Sequence, residues 1–328
     1  MERRKERKKQ GDSTQRGNEH CADCSADAVY NRGMRPIFEW KLRSRSLRLG
    51  ERTLIMGVIN VTPDSFSDGG EFLDCGLAVE HALELLEEGA DILDVGGEST
   101  RPGKKDPVSA EEEKRRVLPV IEGILRQAPK AIVSIDTYKA ETAGAALAAG
   151  TEIVNDVSGF SWDEGMLVLL AAQHCGCVLM HTRGHPEEWP NQPPLPQDEV
   201  VPKVLRELQR LSDRAVGGGI TRERIVLDPG FGFGKRLDEN FPVLACFGEL
   251  HRLGFPLLSG TSRKSFIGKA ATGSRTLSAP LAGTLATVTA AILQGAHIVR
   301  VHDVRPALEA AKVADTILHA QKNCPSGA

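Results

Sequence analysis

The stretch Leu54-Ile-Met-Gly-Val-Ile-Asn60 is almost wholly apolar and stops at a polar amide, and the chain repeats that design seven more times. The other runs are 90–97 around Asp94, 131–136 ending at Asp136, 152–156, 177–181, 225–228 ending at Asp228, 256–262, and 298–303. Strands that are apolar on both faces belong to a parallel sheet covered on both sides. Helix-forming segments separate the runs, at 76–88, 109–127, 139–149, 163–174, 198–217, 238–253, 280–294 and 306–321. Eight βα units of this kind predict a closed (β/α)8 TIM barrel. Such barrels carry their active sites at the C-terminal ends of the strands. Asn60, Asp94, Asp136, Asn155, His181, Asp228, Ser262, Lys264, Arg300 and His302 all fall there and are expected to converge on one pocket.

The N-terminal flank has a different character. Residues 37–42 and 46–49, separated by the basic turn Arg43 to Arg45, predict a β-hairpin at the N-terminal mouth of the barrel. Residues 1–36 predict a disordered basic leader, 37–321 the barrel domain and 322–328 a short tail. Residues 1–52 carry 14 Lys and Arg against eight Asp and Glu, so although the whole chain is −3, the remainder is −9. A basic leader poor in large apolar residues cannot bury enough surface to fold alone, and it lacks the apolar centre of a signal peptide.

No run of about 18 apolar residues is present for a membrane span, and a pI near 6.3 gives no reason to expect nucleic acid. Seven scattered cysteines, an odd number, argue for a reducing compartment rather than a disulfide framework. The expectation is a cytoplasmic protein. Cys21-Ala-Asp-Cys24 has metal-like spacing without a second pair, and His174 to His185 straddles a helix end and a strand. Neither is expected to hold a metal.

The segments after the strands carry the chemistry. Asn60 to Gly70 is polar and rich in turn formers, which suits a substrate loop. Gly96-Gly-Glu-Ser-Thr-Arg-Pro-Gly103 combines paired glycines with Arg101, a natural anion contact. Asp228-Pro-Gly-Phe-Gly-Phe-Gly-Lys235 frees its backbone at three alternate glycines and offers Phe233 as a face for a flat heterocycle. Ser262-Arg-Lys-Ser265 and Arg300-Val-His302 lie beside strands seven and eight, where barrels commonly bind phosphate. Asp94, Asp136 and Asp228 come from separated strands without the His neighbours of a dinuclear metal centre. They suit a planar amino-heterocycle, whose paired N–H edge matches a carboxylate in bidentate fashion.

These motifs, together with Gly57 to Gly70, Asp94 to Gly103, Ser134-Ile-Asp-Thr137, Asn155-Asp156 and Leu227 to Lys235, closely resemble those of the dihydropteroate synthases, the sulfonamide targets. The resemblance covers about residues 38 to 320 and touches all eight strand ends. One departure is Thr182, where many members carry Met; the leader has no counterpart in the family core. The resemblance implies condensation of p-aminobenzoate with dihydropterin-CH2-diphosphate, releasing pyrophosphate. It implies that Asp136, Asn155, Asp228, Phe233 and Lys264 hold the pterin, with Asp228 on the N3–H and 2-amino edge and Lys264 on the 4-oxo group. Phe66, Thr100, Arg101, Pro102 and Ser262 would hold p-aminobenzoate. Asn60, Arg300 and His302 would hold the diphosphate, with Asn60 also a ligand of Mg2+, and Asp136, Lys264 and Asp94 would be catalytic. The family commonly forms homodimers through barrel helices, and residues 280–294 offer such a face.

Two other readings stay open on sequence alone. A methyltransferase module that presents methyl-tetrahydrofolate on the same barrel would lack the Ser262 to Ser265 and Ser99 to Pro102 segments, which are present. A non-catalytic pterin-binding paralogue would keep every pterin contact. The leader reads as a solvated tail. Deleting residues 1–34 is expected to leave pyrophosphate release and melting temperature unchanged, as an activity assay and a thermal melt on the truncated chain would check.

Overall fold

The computed structural model describes residues 35–62, 70–99, 108–273 and 279–321. The chain divides into residues 1–32 and residues 33–328, and all described residues lie in the second unit. A two-stranded antiparallel hairpin comes first, β1 (Phe38–Lys41) against β2 (Ser46–Leu49). The barrel follows as β3 (Leu54–Asn60), α1 (Gly70–Glu88), β4 (Ile92–Gly96), α2 (Ala110–Gln127), β5 (Val133–Asp136), α3 (Ala140–Ala149), β6 (Ile153–Asp156) and α4 (Glu164–Gln173). It continues through β7 (Gly176–Met180), α5 (Gln197–Gly217), β8 (Ile225–Asp228), α6 (Asn240–Ala245), β9 (Leu258–Ser259), α7 (Ser265–Thr272), α8 (Leu281–Leu293), β10 (Ile298–Val301) and α9 (Val304–Gln321).

The eight strands β3 to β10 are parallel in the order β8-β7-β6-β5-β4-β3-β10-β9, and a parallel bridge between Leu227 and Leu257 joins the two ends. Alternation along each strand sorts side chains between two cores. Leu54, Met56, Ile92, Ile153, Val178, Val226, Leu258 and Ile298 point into the barrel and pack with Trp40, Leu42 and Leu49 of the hairpin. Ile55, Ile59, Leu93, Val95, Val154, Leu179 and Val299 point outward and pack with the helices.

The hairpin plugs the N-terminal mouth. Trp40 is fully buried, and its indole N–H donates to the Arg224 carbonyl at 2.9 Å. Gly176 makes room for it, since a Cβ there would sit 2.5 Å from Leu42 and 3.2 Å from the Trp40 ring. Ser44 N donates to Glu152 Oε2 at 2.8 Å, tying the hairpin turn to the start of β6.

Several sequence expectations shift. Arg35 and Pro36 belong to the folded unit rather than to the leader. The Arg35 guanidinium is buried and donates to Thr53 Oγ1 at 2.7 Å, the Ala296 carbonyl at 2.9 Å and Asp315 Oδ1 at 3.0 Å. A buried guanidinium so fully satisfied is an anchor, one that composition alone cannot reveal. The continuous helix expected over 238–253 is broken into a 3-10 turn (Leu237–Glu239), α6 and a 3-10 segment (Phe247–Leu253). Asn240 spends its amide on the Arg236 and Leu237 carbonyls and on the Gly232 N–H, which binds this stretch to the loop after β8 instead of to a regular helix. The short helix α7 was not expected, and α1 begins six residues before the predicted start.

Because the plug fills the bottom of the barrel, Trp40→Ala is expected to cost about 3–5 kcal/mol through the lost contacts and the cavity left behind. Denaturant titration of the variant measures this as a lowered midpoint with little change in slope.

Candidate active site

The strand period that sends apolar side chains into the barrel also sends the polar strand ends there. Asp94 follows Ile92 by two residues on β4, Asn155 follows Ile153 on β6, Asp228 follows Val226 on β8 and Arg300 follows Ile298 on β10. Asp136 follows Ser134 on β5, and Asn60 continues the inward series Leu54, Met56, Val58 on β3. Each inward column therefore runs from apolar at the plugged end to polar at the open end.

Four of these side chains form one network. Arg300 Nε donates to Asp94 Oδ2 at 2.6 Å, and Arg300 Nη2 donates to Asp136 Oδ2 at 2.6 Å. Asn155 Nδ2 donates to the same Asp94 oxygen at 3.0 Å. Asp94 Oδ1 is buried without a hydrogen-bond partner among the described residues. Such an orphan acceptor costs about 1–3 kcal/mol and is a place where a ligand donor would be repaid. Burial raises the Asp136 carboxyl well above the usual carboxylate range, against the pull of Arg300 and with the help of Asp94. Burial works against the Arg300 charge, yet Asp94 and Asp136 together hold the guanidinium above its ordinary value. Arg300 was expected to meet only an anion; instead it also bridges two carboxylates, because its strand position aims it across the barrel.

A second group surrounds Asp228. Its Oδ1 accepts the Gly230 N–H at 2.7 Å. Burial pushes this carboxyl up to about 6, while the Gly230 N–H, Lys264, Lys235 and Arg300 pull it down. The Lys264 ammonium lies 4.1 Å from the centre of the Phe233 ring, and the Trp189 ring meets Phe233 in an edge-to-face contact with centroids 5.2 Å apart. Lys264 is the N-cap of α7, and Arg263 just before it adopts a left-handed backbone, φ +58°. Arg263 is held there by Asp303 at 2.7 Å and by its N–H on Thr284 Oγ1 at 3.2 Å.

Ser262 and His302, assigned by the sequence to different ligands, are direct partners. Ser262 Oγ lies 3.0 Å from His302 Nδ1 and accepts the His302 backbone N–H at 3.2 Å. Burial, followed by the cations Arg300, Arg263 and Lys264, lowers His302 to about 3, so its ring is neutral at physiological pH. Phe66, Thr100, Arg101 and Pro102 lie outside the described residues.

One expected member leaves the pocket. His181 comes one residue after inward-pointing Met180, so alternation turns it outward toward α5, where its Nε2 meets Glu207 Oε2 at 2.7 Å. Sequence reasoning also missed the support beneath the segment after β4. Buried Glu113 accepts from Thr137 Oγ1 at 3.0 Å, Thr142 Oγ1 at 2.9 Å and Lys139 Nζ at 3.1 Å, and Lys139 also pairs with Glu98. A glutamate inside the α2 sequence signals only a solvated face, and its partners on β5 and α3 are set by tertiary packing. Among the described residues no three His, Cys, Asp or Glu side chains gather as a metal-binding cluster, and no helix is long and apolar enough to cross a membrane.

Comparison with known proteins agrees with this geometry. The family model described as pterin binding enzyme matches residues 56–302. The dihydropteroate synthase of Clostridium beijerinckii is 43% identical over 283 residues, covering 85% of this chain and 99% of the relative. The solved structure of Xanthomonas albilineans dihydropteroate synthase with 4-aminobenzoic acid is 40% identical with a TM-score of 0.77, over 88% of this chain and 100% of that one. The structure of the same enzyme in complex with 7,8-dihydropteroate is 39% identical with a TM-score of 0.74, again over 88% and 100%. With the barrel, the carboxylate-lined mouth and these relatives in agreement, the chain belongs to the pterin-binding enzyme family, among its dihydropteroate synthases.

Proposed function

We propose that the open end of this barrel joins p-aminobenzoate to (7,8-dihydropterin-6-yl)methyl diphosphate, with Asp228 and Lys264 as the pterin floor and Arg300 and His302 toward the diphosphate. The observation that carries the reading is the network of Asp94, Asp136, Asn155 and Arg300 within electrostatic reach of Asp228. Asp228 offers two oxygens to the N3–H and 2-amino edge of the pterin, Lys264 donates to the 4-oxo group, and Phe233 faces the ring. Phe66, Thr100, Arg101, Pro102 and Ser262 complete the reading as p-aminobenzoate contacts.

In the reaction the bond between the methylene carbon and the diphosphate oxygen breaks, and pyrophosphate leaves with the electron pair. Positive charge spreads from the methylene into the dihydropterin, where the Asp136 carboxylate stabilises it, and the Arg300 guanidinium bonded to that carboxylate would offset the charge of the departing anion. The aniline nitrogen then bonds to the methylene and loses one proton, giving 7,8-dihydropteroate. No protein nucleophile is used.

Mg2+ enters this proposal as a companion of the diphosphate. A hard cation that retains several waters takes few protein ligands. One amide oxygen from Asn60 therefore fits a cation held chiefly by substrate oxygens, which it would screen as charge builds on the leaving group. The proposal also places the protein in the cytoplasm and pairs two copies through α8, whose Leu281 is exposed.

Mixing the purified chain with both substrates and measuring pyrophosphate release tests the function; release that needs p-aminobenzoate supports synthesis, and its absence points to a non-catalytic pterin binder. Asn60→Ala is expected to raise the Mg2+ concentration needed for half-maximal release severalfold and to leave binding of a pterin lacking the diphosphate unchanged, as calorimetry would show. Since only the ionised Asp228 can accept two N–H donors, and its carboxyl sits near 6, pterin affinity should be flat above that pH and fall below it. Asp228→Asn should bind about tenfold more weakly at neutral pH, corresponding to roughly 1.4 kcal/mol, and should lose the acid limb due to residue 228 in a pH series of titrations.

A further inference from the structure

Behind the Asp228 turn, on the outward side of the sheet, lies a chain of polar contacts that the reaction as described does not use. Lys235 is buried, and its ammonium donates to the Gly230 carbonyl at 2.8 Å and meets His181 Nδ1 at 2.8 Å. The ionised Glu207 carboxylate only accepts, so the single proton of neutral His181 sits on Nε2, 2.7 Å from Glu207 Oε2, and Nδ1 accepts from Lys235. Glu207 projects from α5, where it also pairs with Lys203 at 2.8 Å. The partially exposed edge of a helix is thus connected through the barrel wall to the carbonyl of Gly230.

Gly230 is a point of leverage. Its φ of +68° and the His181 carbonyl, which would lie 2.0 Å from any Cβ, admit only glycine. Its carbonyl is held by Lys235 while its N–H holds Asp228 Oδ1, so the two ends of one residue link the buried lysine to the carboxylate. We propose that Lys235, oriented by His181 and Glu207, is a positioning residue that acts through the Gly230 turn to aim the Asp228 carboxylate at the pterin edge, an inference that rests on the pterin-floor reading of Asp228.

Electrostatics point the same way. Burial lowers Lys235 to about 7, with Asp228 and Glu207 opposing that shift and Arg183 and Lys264 adding to it. Burial lowers His181 to about 4, helped by Lys235 and Lys203 and opposed by Glu207, so the imidazole is neutral. Lys235 is one of three cations, with Lys264 and Arg300, that draw Asp228 back toward ionisation. Removing it is expected to move the Asp228 titration upward, so the acid limb of pterin binding should move to higher pH.

The test uses the full chain and a dihydropterin without the diphosphate as probe, titrated by calorimetry in a pH series around 6. Lys235→Met should weaken binding about tenfold at neutral pH and shift the acid limb upward; in turnover it should raise KM for the pterin substrate and largely spare kcat, because the contact is present in both ground and transition states. Lys235→Arg, which keeps the charge, should restore most of the wild-type limb. Glu207→Ala, a change on a half-exposed helix edge, should produce a smaller upward shift and serves as the readout should Lys235→Met not fold. Wild-type affinity and an unmoved limb in folded Lys235→Met, or in folded Glu207→Ala where Lys235→Met does not fold, would overturn the proposal. The floor reading has its own readout, since wild-type affinity in Asp228→Asn would sink that reading whatever Lys235 does.

Discussion

The Arg300 guanidinium, held between two carboxylates at the open end of the barrel, is the interaction on which the site depends. Asp94 and Asp136 stand on neighbouring strands and would repel each other in a poorly hydrated space. One cation bonded to both at 2.6 Å offsets that repulsion. Breaking such a pair from one side is far more costly than never having built it, because it leaves uncompensated buried charge. The same network reaches Asn155, so side chains from β4, β5, β6 and β10 are tied together across the top. At the other end Trp40 and its hairpin close the barrel with apolar contacts. Stability is concentrated at the plugged end and chemistry at the open one, as the barrel architecture allows.

That division explains what could be read from the sequence. A strand has a period of two, so once Ile92, Ile153, Val226 and Ile298 are inward, Asp94, Asn155, Asp228 and Arg300 must be as well. The eight apolar runs and their polar ends therefore carry the fold and the inward aim of these four side chains. His181 shows the limit of reading by strand ends alone. It lies at the end of a run like the others, but it falls one step after Met180, and the one-residue difference turns it from the pocket to the helix layer.

Other features were illegible because their partners are far away in sequence. Nothing near Glu113 announces Thr137, Thr142 and Lys139, and nothing near Arg35 announces Asp315. The break in the helix expected over 238–253 depends on Asn240 bonding a loop residue, Gly232, which periodicity does not register. The extra helix α7 starts just after Arg263, whose left-handed backbone is held by Thr284 of the same βα unit and by Asp303 of the next, contacts that local periodicity does not register.

Burial acts on the ionisable groups of this end in one direction, toward their neutral forms. It raises Asp136 and Asp228 and lowers Lys235 and His302. A site arranged in this way responds strongly to charge brought in or created by a ligand, since each carboxyl is near the point at which a modest interaction decides its state. Donors on a heterocycle edge favour the ionised Asp228. Positive charge appearing on a dihydropterin favours the ionised Asp136 by the same Coulombic rule. On the proposed reading, the carboxylates would therefore become better anions as the cation develops, and the stabilisation would grow along the reaction coordinate instead of acting equally on the ground state.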